Sequence, residues 1–197
     1  MADSKTPLEA DRFYHIYNHA VGNELLFYRN ENYLLFLRLI QKYLINYFDF
    51  HAYCLMPNHF HLVVQVKNPN ENNFYDYKGN KPEELYYFLS RKLSHLFNSY
   101  AQSINKQQNR KGSLFYNRYK RQQITSESYL KKLIHYVHYN PVKARLCNDI
   151  SDWIFSSYNA YLTSSKSLIK RDYVIDLYGD LSNFIYCHKT IPEISGL

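Results

Sequence analysis

The chain has 197 residues, enough for one ordinary domain or a domain with an appendage. It is 46% hydrophobic and 21% charged, which supports a buried core and excludes disordered and fibrous classes. Lys and Arg outnumber Asp and Glu by 24 to 17, a net charge of +7 that suits an acidic polymer as partner without requiring one.

Cys54, Cys147 and Cys187 lie far apart with no CxxC pair, so a disulfide framework and a thiolate zinc site are both poorly supported. The N-terminal segment carries Asp3, Glu9 and Asp11 and does not read as a signal peptide. The most apolar stretch, Tyr33 to Phe48, is broken by Arg38 and Lys42 and is too short to span a bilayer. The 22 tyrosines suggest base stacking, but AT-rich coding DNA raises tyrosine content just as well.

Phe13 to Ala20 reads as a first strand, ended by Val21-Gly22-Asn23. Glu31 to Tyr47 has apolar residues at helical spacing. Phe50 to Leu55 and His59 to Lys67 read as strands joined tightly at Pro57-Asn58, and Asn68 to Pro82 as a loop. Glu83 to Ile104 reads as a second helix and Phe115 to Ile124 as a fourth strand. Ser126 is placed to cap a third helix that should stop near Tyr139, because Asn140 precedes Pro141. The order β-α-β-β-α-β-α predicts an α+β fold: a ferredoxin-like antiparallel sheet with helices over one face, an added C-terminal helix and a mixed tail.

Two segments carry chemistry. In His59-Phe-His-Leu-Val-Val-Gln-Val66, alternation turns Phe60, Leu62, Val64 and Val66 to the core and His59 and His61 to the opposite face. Two imidazoles at i and i+2 can share one divalent metal, although a bare HxH is more often an exposed strand-edge pair. In His135-Tyr-Val-His-Tyr-Asn-Pro-Val-Lys-Ala-Arg145, Tyr136 and Asn140 share one helical face. A tyrosine hydroxyl can act as nucleophile and an amide oxygen can ligate a metal; a buried aromatic and a C-terminal asparagine are the commonplace readings. His15 and His19 are too far apart along one strand for a single metal, and His135 and His138 suit the surface. His95 and His188 suggest no role.

Pro57-Asn-His-Phe-His61 followed by an apolar run, with Tyr136-Val-His-Tyr-Asn-Pro-Val-Lys-Ala144 about 75 residues later, resembles the HUH single-tyrosine transposases. The likeness is to the insertion-sequence-200-like group and its REP-associated branch. Tyr14 to Asn18, Phe115 to Lys120 and Trp153 to Tyr158 add to it, over roughly residues 12 to 160. It implies a ferredoxin-like fold and cleavage and rejoining of single-stranded DNA through a 5′-phosphotyrosine. Tyr136 would be the nucleophile, ahead of Tyr139, and His59, His61 and Asn140 would hold Mg²⁺ or Mn²⁺. It further implies single-stranded DNA with hairpin ends as partner, a homodimer or a monomer, and a bacterial cytoplasmic, nucleoid-associated setting without membrane. Relatives often carry Gly where Arg145 stands.

A free tyrosine, with pKa near 10, is about 4 kcal/mol from its phenolate at pH 7, which a cation at the scissile phosphate would offset. Lys106 to Ser126 holds six cations and no acid. Of these Arg118, Lys120 and Arg121, with Lys143 and Arg145 near the nucleophile, are candidates for holding DNA, and Tyr116 and Tyr119 for stacking on bases. The bland reading is an edge strand and loop made soluble by charge. The expected organisation is a catalytic domain over 1–147 and an extension packed on it over 148–197. A domesticated nucleic-acid binder that no longer turns over is the alternative. A replication initiator or relaxase would share the histidine pair, but relaxases are larger, with an N-terminal tyrosine.

Overall fold

Antiparallel pairing of β1 (Phe13–His19) with β3 (His59–Val66) forms the centre of the sheet, with Tyr17 opposite His61 and His19 opposite His59. The structure is a computed structural model that describes residues 6–72, 74 and 76–193. Strand β2 (Phe48–Met56) flanks β3, and β4 (Lys120–Ile124) flanks β1, giving the order β2-β3-β1-β4 with every neighbour antiparallel.

Alternation makes the two faces different. Tyr14, Ile16, Phe60, Leu62, Val64 and Val66 turn to one face, under α1 (Asn30–Tyr43) and α2 (Pro82–Gln107). Phe36, Phe60, Phe97 and Tyr100 interlock there, with ring centroids 4.9–5.4 Å apart. Ala52, Cys54, Met56 and Val63 turn to the other face and are covered by α3 (Glu127–Lys143). Helices thus cover both faces of the sheet, not one as the element order suggests.

Helix α1 stops short of the expected Tyr47 because Leu44 turns the chain, its carbonyl accepting from both Tyr47 and Phe48. Strand β4 begins at Lys120 and not at Phe115. Phe115 bridges Ala20, but Asn18 Nδ2 takes the Asn117 carbonyl, and 116–119 leave the ladder. In the 68–82 loop, residues 73 and 75 lie outside the described set, as do 1–5 and 194–197.

Ser126 caps α3 as expected, its Oγ accepting from the Tyr129 N–H. The helix then runs through Pro141, past the predicted stop. Pro141 is buried in the helix interior, and its lack of an N–H leaves the Val137 carbonyl without its usual helical donor. The helix ends two residues later, at Lys143. Leu146 N–H reaches Pro141 O and Arg145 N–H reaches Val142 O, both at 2.9 Å, with Arg145 at φ +58°. This left-handed position explains why a glycine would suit residue 145.

The tail straps α3 and the free edge of β2. Leu55 N–H donates to Phe155 O, Ser157 N–H to Tyr53 O, and the Trp153 indole to Leu55 O. Helices α4 (Tyr158–Tyr161), α5 (Arg171–Tyr178) and α6 (Leu181–His188) then pack on α3. His138 Nδ1 and His188 Nε2 share a hydrogen bond of 2.9 Å, and His138 Nε2 meets Ser157 Oγ at 2.8 Å. The expected surface positions of His135 and His138, and the idle reading of His188, are thereby overturned: all three are buried, because the tail covers the helix face that carries them.

These contacts make stability testable at two points. Arg145→Gly relieves a left-handed non-glycine residue and should stabilise the fold by about 1 kcal/mol, a rise of about 2–4 °C in Tm, read by calorimetry. Burial holds the imidazole of His188 down at about 3 and that of His51 at about 4, against 6.5 in the unfolded chain. The unfolded chain therefore takes up protons first as pH falls below 6.5, so this stability is complete above 6.5 and is lost downward. The two should cost about 3 kcal/mol between pH ~7.5 and ~5.5, measured as a lower urea midpoint that His188→Gln makes less steep.

Candidate functional site

The tight β2–β3 turn at Pro57-Asn58 holds His59 at its mouth, with Asn58 Oδ1 2.7 Å from His59 Nδ1. Two residues on, His61 is buried under α3, and its Nδ1 lies 2.9 Å from Nε2 of the fully buried His15. The His59 and His61 rings stand 5.2 Å apart and nearly perpendicular. Each imidazole is thus oriented through Nδ1, which leaves Nε2 for a further partner.

From the other side, α3 places the Tyr136 ring edge-on to His61, with centroids 5.9 Å apart at 80°. Tyr136 is 5% exposed, and the Lys143 ammonium stands 5.4 Å from its ring centre. Tyr139 turns away, its ring 6.3 Å from that of His135. Asn140 follows Tyr136 by one turn and is buried, with an Nδ2 that makes no hydrogen bond among the described residues. The structure therefore brings His59, His61 and Tyr136 into one site and sets Asn140 on the same helical face.

Burial drives the electrostatics. It holds the His59 imidazole at about 4, aided by His19, and that of His61 well below its usual value, aided by His15 and His59. Both are neutral at physiological pH, the form that ligates a metal. Among the described residues, no three His, Cys, Asp or Glu side chains gather as a metal site. What the site offers a divalent cation is the free Nε2 side of two oriented neutral histidines; the orphaned Asn140 Nδ2 is a donor, so of that amide only its oxygen could serve as a ligand.

The candidate DNA-holding cations divide. Lys120 pairs with Tyr17 across the β1–β4 ladder and so lies on the α3 face, and Lys143 stands over Tyr136. Arg145 is exposed at the end of α3, and Arg118 is exposed in the segment before β4. Arg121 corrects the expectation. Strand parity turns it to the opposite face, 1% exposed, where the hydroxyls of Tyr86 and Tyr119 accept from its guanidinium at 2.9 Å. Tyr119 is committed to that contact, and Tyr116 stays exposed, stacked on His19 at 4.7 Å.

Spacing along one strand does not single out His15 and Tyr17 as site residues. Tyr17 stacks on His15 at 4.6 Å and lies 5.8 Å from His61. Burial, with Tyr129 and Tyr136 nearby, raises its hydroxyl above the usual tyrosine value. The signal that finds both is their shared face on β1 with cross-strand partners on β3.

No family model matches the chain, and no curated protein matches it. Among solved structures, it is similar to that of a REP-associated tyrosine transposase bound to a REP hairpin. That likeness has a TM-score of 0.58 at 12% identity and covers 84% of this chain and 92% of the other, a shared fold. No helix among the described residues is long and apolar enough to cross a membrane.

Asn140 offers a direct check on the site's design. Asn140→Leu removes a buried unpaired donor while keeping the branched skeleton and should raise the urea-derived stability by about 1–2 kcal/mol. A loss of stability would mean that the amide is satisfied in the folded protein.

Proposed function

We propose that this protein is a DNA strand transferase of the tyrosine-transposase type, built on a ferredoxin-like sheet. It would cleave and rejoin single-stranded DNA with hairpin ends in the bacterial cytoplasm. The observation that carries the reading is the Tyr136 ring set edge-on against His61, with His59 beside it, under a helix that buries the site. The shared fold with a transposase and the net positive charge support it.

Tyr136 Oη would attack the scissile phosphorus in line, forming the phosphotyrosine ester as the bond to the 3′-oxygen breaks. The phenol proton ends on the departing 3′-hydroxyl. The Lys143 ammonium stands over the Tyr136 ring, where it would meet the phosphate's charge, and Lys120 on the same sheet face would meet the DNA backbone. A Mg²⁺ or Mn²⁺ ion, held by His59, His61 and Asn140, would supply charge withdrawal at the phosphate. His15, bonded to His61 Nδ1, fixes that ring's orientation. Burial of Tyr136 limits access of water to the ester and so preserves it for rejoining.

The test mixes the protein with single-stranded DNA from the flanks of its own gene and Mn²⁺, and reads adducts by denaturing gel and mass spectrometry. The adduct should map to Tyr136, vanish in Tyr136→Phe and persist in Tyr139→Phe. His59→Ala should slow its formation by about 100-fold, the scale of a lost metal contribution. His15→Ala should raise the Mn²⁺ needed for half-maximal rate by about tenfold. Tight, metal-independent binding with no adduct would overturn the proposal in favour of a binder that no longer turns over.

A further inference from the structure

On the face of the sheet opposite Tyr136, α2 and the segment before β4 enclose a cleft of about 680 Å³. That is the size of pockets that enclose small ligands, ~300–1,000 Å³, and holds a nucleotide or two but not a turn of duplex. Its composition is one-sided: Arg91, Arg118 and Arg121 line it, and no Asp or Glu does. Arg91 and Arg118 have no carboxylate partner among the described residues. Arg121 is held at the wall by Tyr86, Tyr119 and Ser90, so its charge is fixed in place. Ser94, Asn98 and Gln102 line it from one face of α2, and the last two make no hydrogen bond among the described residues. Phe97 and Tyr119 supply apolar wall, their rings 5.2 Å apart.

Its chemistry suits a phosphate-bearing chain with hydrogen-bonding rings: arginines for phosphates, amides for base edges and apolar wall beside the bases. Strand β4 connects it to the proposed site: as an edge strand it presents Lys120 to the Tyr136 face and sets the buried, fixed charge of Arg121 behind the cleft wall, so both sides of that edge carry positive charge.

We infer that the cleft holds one or two unpaired nucleotides of the same DNA strand that is cut at Tyr136, with Arg91 and Arg118 on phosphates and Asn98 and Gln102 reading a base. The inference rests on the proposed strand-transfer function for the identity of that strand, and on the cleft alone for its affinity.

The experiment measures fluorescence anisotropy of a labelled single strand of about 12 nucleotides from the gene's flank, and of the same sequence as a blunt duplex. Arg118→Ala should weaken single-strand binding by about tenfold and lower the log–log salt slope by about 0.7, one phosphate contact. Ser94→Trp fills the cleft without changing charge; it should weaken binding comparably and leave the slope unchanged. Both positions are exposed, and urea midpoints confirm that the variants fold. Single-strand affinity within twofold of the parent in both variants, or duplex bound as tightly as single strand, overturns the inference. Weakened binding in both variants with no adduct in the parent protein upholds the cleft and refutes strand transfer. An adduct in the parent with unchanged affinity in both variants does the reverse.

Discussion

The register between β1 and β3 is the constraint on which the rest of the site depends. Because Tyr17 faces His61 and His19 faces His59, a slip of one residue would send both metal-candidate imidazoles to the α1–α2 core and bring Phe60 and Leu62 beneath α3. The apolar run on β3 forbids that slip, since Phe60, Leu62, Val64 and Val66 are all buried on the other face. The polar site is thus held in place by hydrophobic burial one residue out of phase with it. The His15–His61 hydrogen bond is a product of the same register.

Burial gives the site its character. An exposed HxH pair would titrate near 6.5 and spend part of its time protonated below neutral pH. His61, covered by α3, and His59, partly buried at the turn, remain neutral, at the cost of removing polar groups from water. The cost is visible in the unpaired atoms that remain: Asn140 Nδ2 and His15 Nδ1 are buried without partners among the described residues. Such groups are destabilising in an isolated fold and are expected where a ligand completes the structure.

Much of the fold is legible in the sequence because its signals are local. The alternation in β3, the stripe on α2 and the Ser126 cap all lie within a few residues, and the structure reproduces them. What stays hidden is non-local. His15 is too far from His19 along one strand to share a ligand with it, yet its true partner stands 46 residues away on another strand. Arg121 groups with Lys120 by adjacency, although neighbouring strand residues face opposite sides. Asn140 before proline argues for a helix end, but tertiary packing of Pro141 outweighs that preference. Apart from Trp153 to Tyr158 the tail carries no motif, and the contacts of that stretch with Tyr53, Leu55 and His138 are ones that no spacing encodes.

The strap formed by the tail has a consequence for the order in which the protein is made. Synthesis proceeds from the N-terminus, so the sheet and α3 leave the ribosome before Ser156, Phe184 and His188, which close over β2 and α3. Until those residues arrive, His138 lacks its partners and the free edge of β2 stands open. A nascent chain therefore holds His59, His61 and Tyr136 without the packing that fixes the helix carrying Tyr136. The surroundings of Tyr136 are thus completed last, when the tail folds over α3.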